Sequence, residues 1–207
     1  RPEVEVIHGN IFDFFPQFLG KAFLGSYLWI LKCCPWLYKL AYTWGNKQGG
    51  SLWLRELLNR LLAYLGGSYL RNVQPDAVIA THATPAGIIG YYKKQHPKLW
   101  LGAVVTDFTI HRWWVCDGVD TYFIADELLR DKLTTTADIQ ATGIPVRQQF
   151  MIKHDKQKCR EFFGWDENER VCLLMGGGEG LLPMAEIIAA LQRAALKNLR
   201  VVAVTGH

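Results

Sequence analysis

Strong charge asymmetry is missing from this chain: 23 Lys and Arg stand against 19 Asp and Glu, a formal balance of +4. That is too little to argue for a polyanion-binding stripe, and nucleic acid is not an expected partner. Cysteine is sparse too. Its five residues, two of them adjacent at Cys33 and Cys34, form no C-x-x-C pair and no even framework, which excludes a secreted disulfide scaffold and suits a reducing compartment. No His and Cys cluster has metal-ligand spacing. Gly-x-Ser-x-Gly is absent, which removes the strand–turn–helix nucleophile of the hydrolases. A clean apolar run of roughly 20 residues is also lacking, so no segment is expected to cross a bilayer. The chain opens without Met and stops at "VVAVTGH", where a strand would hand over to a loop. Both ends read as cut from something longer, which leaves targeting signals unreadable.

Half the residues are apolar, enough for a sizeable core, and eight are Trp. "VEVIHG", "DAVIATH", "LWLGAVVTD", "TYFIAD", "DIQATG", "RVCLLMG" and "RVVAVTG" read as short strands, continuous enough to be buried on both faces. Helix signals fall between them: Thr84 with Pro85 before "AGIIGYYKKQ", Asp126 before "ELLRDKL", Asp155 before "KQKCREFF" with Gly164 after, and Pro183 before "MAEIIAALQRAALK". "GGS" at 66–68 reads as a helix end. The alternation of strand and helix predicts an α/β fold, a Rossmann-like doubly wound parallel sheet. A polar stretch with Gly143 and Pro145 at residues 142–157 breaks the rhythm and marks a domain junction.

Residues 11–44 differ from the rest. They are apolar nearly all round, yet Asp13, Lys21, Lys32, Lys39 and two prolines interrupt them, and Pro35 suits the first turn of a second short helix. Lysines beside Trp, Tyr, Phe and Leu are what a helix lying in a bilayer interface uses. The same composition also suits helices that cover the core or a partner subunit. Trp29, Lys32, Trp36, Lys39 and Trp44 are the candidate membrane contacts.

Three constellations carry possible chemistry. In "LLMGGGEG" a strand, a Gly-rich turn and a helix start converge, which favours a diphosphate, although any tight strand-to-helix turn has that form. The spacing fits neither known phosphate signature: Leu181 stands where the third glycine of G-x-G-x-x-G belongs, and no Gly-Lys-Ser/Thr follows. In "VVTDFTIHRWW", Asp107 stands at the carboxyl end of a buried strand, the edge where open parallel sheets hold ligands, with His111, Trp113 and Trp114 after it. Asp107 and His111 there suit acid/base work or a sugar hydroxyl; a capping aspartate and a surface histidine remain the alternative. His82 in "THATP" has the same placement, and a packed, hydrogen-bonded histidine is its other reading.

"PDAVIATH", "VVTDFTIHRWW", "VDTYFIADELLRDKL", "TGIPVRQQF" and "LLMGGGEG", in this order, resemble the monogalactosyldiacylglycerol synthase and processive diacylglycerol glucosyltransferase family of GT-B glycosyltransferases. The resemblance implies two Rossmann-like domains: residues 1–150 as a lipid-acceptor, membrane-binding domain without its first strand and Gly-rich loop, and 165–207 as the beginning of a UDP-sugar donor domain. It implies transfer of galactose or glucose from a UDP-sugar to diacylglycerol at the cytoplasmic face of an anionic membrane, with no cofactor and no metal. Gly176, Gly177, Gly178, Glu179 and Gly180 would then lie at the diphosphate with Arg147 approaching it, and Asp107, His111, Trp113 and His82 on the acceptor side. The family's expected base lies in a segment before Arg1, so the 207 residues alone are expected to be inactive. Two further readings stay open: a GT-B enzyme for another lipid acceptor, such as an undecaprenyl-linked sugar, and a non-catalytic membrane-peripheral module.

Overall fold

The computed structural model describes residues 4–14, 25–26, 29–30, 33–34, 36, 52–177 and 182–205. Two compact units divide the chain, Arg1–Pro145 and Val146–His207.

In the first unit the Val- and Ile-rich runs become four parallel strands in the order β1-β2-β3-β4: β1 (Ala77–Ala80), β2 (Trp100–Val104), β3 (Thr121–Ile124) and β4 (Asp138–Ala141). Only the inner strands are buried through most of their length; β1 and β4, at the edges, keep exposed positions. The expectation of burial on both faces therefore holds for β2 and β3 alone, because an edge strand has a neighbour on one side only. "VEVIHG" is not a strand. Residues 4–10 are irregular, and Val4, Val6 and Ile7 are exposed. Among the described residues no strand offers them a ladder, and without one their backbone groups gain nothing from extension.

Helix α1 (Leu52–Val73) precedes the sheet and α2 (Ala83–Lys93) links β1 to β2. "GGS" lies inside α1, which corrects the expected helix end. A Cβ on Gly66 would sit 3.0 Å from both Cβ and Cδ2 of Phe14, so this glycine allows a close approach. The helix stops instead at Gln74, whose φ of 49° turns the chain left-handed while its N–H bonds back to Leu70. α2 starts earlier than Thr84 and Pro85 suggest. Its N-cap is His82, and Pro85 falls in the first turn, where a missing N–H costs no hydrogen bond. "ELLRDKL" forms six residues of 3-10 helix, Glu127–Lys132, behind an Asp126 cap. It buries no residue, so no packed face favours a longer α-helix.

The core lies between α2 and the sheet, where Ile88, Leu101, Val105, Trp114, Tyr122 and Ile124 are fully buried. Away from the carboxyl strand ends, Lys93 bonds Asp120 Oδ2, which also accepts the Leu101 N–H at 2.7 Å. That carboxylate fastens α2 to both inner strands at their entry points.

The second unit contains α3 (Lys156–Phe163), β5 (Arg170–Met175), α4 (Met184–Arg193) and β6 (Leu199–Val204), with β5 and β6 parallel. Asp155 caps α3, and Gly164 at φ 65° ends it, as the sequence suggests. β5 alternates exposed and half-buried residues, against the expectation of two covered faces. A two-stranded sheet has no interior strand.

Candidate functional site

The carboxyl ends of β1 and β2 are tied together by Thr106, whose hydroxyl donates to the Thr81 carbonyl at 3.3 Å. Asp107 follows, with 47% of its side chain exposed. Its Oδ2 accepts the indole N–H of Trp114 at 2.7 Å and lies 3.3 Å from His111 Nε2. Trp114 is 1% exposed, so its N–H has left water and needs that acceptor. His111 is held below its ordinary value of 6.5: burial lowers it most, Asp107 pulls it up, and His82 pushes it down again. The imidazole is therefore neutral near pH 7, with Nε2–H donating to the carboxylate.

His82 also stands beside Trp114, the ring centroids 6.4 Å apart, while His111 is 6.3 Å from the same indole. His82 Nδ1 accepts the Thr84 N–H at 3.2 Å, so its hydrogen sits on Nε2. The residue is a helix cap and remains exposed. Asp107, His111 and His82 thus gather around Trp114. Trp113 does not join them: it packs against the core while its carbonyl accepts the Cys116 thiol at 3.1 Å.

Supports beneath the site are unusually polar for a core. The Tyr122 hydroxyl lies 2.8 Å from the Trp114 carbonyl and 3.2 Å from that of Cys116, and accepts the Cys116 N–H at 3.0 Å. Burial raises the Tyr122 phenol and pushes the Cys116 thiol up to about 11, so both stay protonated. From α1, Arg55 Nη1 donates to the carbonyls of Arg112 at 3.0 Å and Val115 at 2.8 Å, clamping the turn that carries Trp114. Sequence reasoning missed Arg55, and also Trp114 as the partner of Asp107. A signal for Arg55 was present: it lies on the helix face that also carries Asn59, Ala63 and Gly66, where small or polar residues promise a close neighbour.

In the second unit β5 runs into Gly176 and Gly177, the latter at φ 71°, a conformation that favours glycine. Gly178, Glu179 and Gly180 lie outside the described residues, as do Lys32, Lys39 and Trp44. Arg147 is exposed and caps the 3-10 turn Gln148–Met151. Trp29 and Trp36 are exposed residues in helical backbone, and the break expected near Cys33 and Cys34 is seen at Cys34, which is non-helical. No helix among the described residues is long and apolar enough to cross a membrane.

A family model described as monogalactosyldiacylglycerol (MGDG) synthase matches residues 2–146. A processive diacylglycerol beta-glucosyltransferase of Bacillus pumilus is 34% identical over 113 residues, 52% of this chain and 29% of the relative. The protein of the same name from Bacillus subtilis strain 168 is 30% identical over 121 residues, 56% of this chain and 31% of the relative. A probable monogalactosyldiacylglycerol synthase 2, chloroplastic, of Oryza sativa subsp. indica is 27% identical over 204 residues, 88% of this chain and 42% of the relative. The chain thus spans less than half the length of these curated relatives. With the parallel sheet and with 2–146 matched throughout, the chain belongs to the monogalactosyldiacylglycerol synthase family.

Proposed function

We propose that the full-length protein transfers galactose or glucose from a UDP-sugar to the 3-hydroxyl of diacylglycerol, acting as a peripheral enzyme on the cytoplasmic face of a membrane that carries anionic lipid. The observation that carries this reading is the Asp107 carboxylate, half exposed at the carboxyl end of β2 and oriented by Trp114 and His111. Family membership and the names of the relatives, which include glucosyl and galactosyl transferases of diacylglycerol, support the substrate class.

In this reading Asp107 accepts a hydrogen bond from the incoming acceptor, and His111 fixes the carboxylate. His111 is not the base, since its Nε2–H already donates to Asp107. A base elsewhere takes the hydroxyl proton as the oxygen attacks the anomeric carbon and the bond to the diphosphate breaks. The departing diphosphate is received by backbone N–H groups of the Gly176–Gly180 loop and by Arg147, which offset its developing charge. Neither a metal nor a separate cofactor enters the scheme.

The test is incubation of the full-length protein with labelled UDP-galactose or UDP-glucose and phosphatidylglycerol-containing liposomes that carry diacylglycerol. A labelled monohexosyl lipid from one donor is the expected product and names the sugar. No labelled lipid from either donor would overturn the reading.

A further inference from the structure

The turn that carries Trp114 has little to hold it from within. Arg112–Trp114 is three residues of 3-10 helix, whose own backbone bonds run from the Trp114 N–H to the His111 carbonyl at 3.0 Å and from the Val115 N–H to the Arg112 carbonyl at 3.2 Å. Short 3-10 pieces hydrogen-bond poorly, and this one sets two tryptophans side by side. Trp114 is buried and Trp113 half-buried. A modest rotation of the turn would exchange them. What opposes that rotation comes from outside: the Tyr122 hydroxyl on the Trp114 carbonyl, and Arg55 Nη1 on the carbonyls of Arg112 and Val115. Arg55 itself starts from a seated helix. A Cβ on Gly87 of α2 would collide with the Asn59 amide, so α1 and α2 approach closely one helical turn beyond Arg55.

We infer that Arg55 is a positioning residue for sugar transfer: by holding the Arg112 and Val115 carbonyls it makes Trp114, and not Trp113, the indole that bonds Asp107, and so aims the carboxylate at the acceptor hydroxyl. The inference rests on the reading of Asp107 as the group that meets the acceptor, and adds to it the residue that fixes the aim. Arginine suits the task. One Nη carries two N–H groups in a fixed plane, which lets a single nitrogen take both carbonyls, and the positive charge strengthens each bond. The chain of contacts is continuous: guanidinium to turn, turn to Trp114, and the Trp114 indole N–H to Asp107 Oδ2 at 2.7 Å. Arg55 touches no reacting atom. A misplacement of about 1 Å far from the chemistry is nonetheless enough to cost on the order of a hundredfold in rate.

The experiment compares the full-length protein with Arg55→Met and Arg55→Gln in two readouts, each at a temperature where circular dichroism shows the variant folded. The first is the indole N–H signal of Trp114 in a proton–nitrogen spectrum, identified by its disappearance in Trp114→Phe. In the wild type this proton lies downfield and exchanges slowly, as a buried donor on a carboxylate does; in both Arg55 variants it is expected to move upfield and to exchange at least about tenfold faster. The second is steady-state transfer to diacylglycerol in detergent micelles. There kcat should fall by roughly tenfold to a hundredfold while KM for either substrate stays near the wild-type value, because aim is lost and binding is not. A general loss of stability would move neither readout at that temperature. If the methionine variant does not fold, the glutamine variant, which keeps a donor, carries the test. An unmoved Trp114 signal in a folded variant would overturn the inference, and so would a moved signal with kcat unchanged. A wild type that transfers no sugar would instead sink the diacylglycerol reading, while the indole signal still decides whether Arg55 sets the bond between Trp114 and Asp107.

Discussion

The Trp114 indole N–H and the Asp107 carboxylate, 2.7 Å apart, join the buried core to the solvent edge of the sheet through one charge-assisted hydrogen bond. Removing the acceptor strands a buried donor. Asp107→Ala should cost about 1–3 kcal/mol in urea unfolding. Asp107→Asn keeps an acceptor and should cost less while still impairing transfer. Equal stability of the alanine variant and the wild type would show that water replaces the carboxylate.

His111 makes stability fall in mild acid. Its folded pKa lies below the ordinary 6.5, so the unfolded chain binds the proton more tightly. Its contribution is complete above about pH 6.5 and declines as the pH drops from there through the folded value. The urea midpoint should therefore be lower at pH 5.5 than at 7.5, and His111→Gln should shrink that difference.

Asp120 titrates at the opposite edge of the sheet. Burial alone would raise its carboxyl, but the Lys93 hydrogen bond, the Leu101 N–H and the Lys93 charge together hold it below 3.8. The stability from this contact is present above that value and is lost as the pH falls through the folded pKa. Lys93→Met should move the Asp120 carboxyl resonance to a higher midpoint and cost about 1 kcal/mol near neutral pH, since the carboxylate is partly exposed.

Gly90 in α2 tests packing against propensity. Alanine there would favour the helix by about 1 kcal/mol, but its Cβ would sit 2.1 Å from the Asp117 carbonyl oxygen. Backbone has to move, and we expect a net loss of about 1–3 kcal/mol by thermal or urea unfolding. A more stable Gly90→Ala protein would mean that the loop at Asp117 yields readily.

What could be read in advance followed from periodicity and punctuation. Six strands and the α3 caps at Asp155 and Gly164 were legible because β-branched runs, an Asp cap and a left-handed Gly are local signals. The failures were tertiary. "VEVIHG" has the composition of a strand but no neighbour to pair with, and Gly66 resembles a helix stop until Phe14 is seen against it. Asp107 and His111 stand where the strand-end rule puts ligands. That Trp114 and not Trp113 faces Asp107 was beyond a sequence in which the two adjoin; only the fold of the Arg112–Trp114 turn separates them.

The strand order of the first unit bears on how it is made. Each of β1, β2, β3 and β4 pairs with the strand next to it in the chain, so every ladder closes over a short separation. Contacts of that kind cost little loop entropy and favour fast folding. During synthesis β2, β3 and β4 each leave the ribosome with a partner already present, and the sheet grows in the direction of translation.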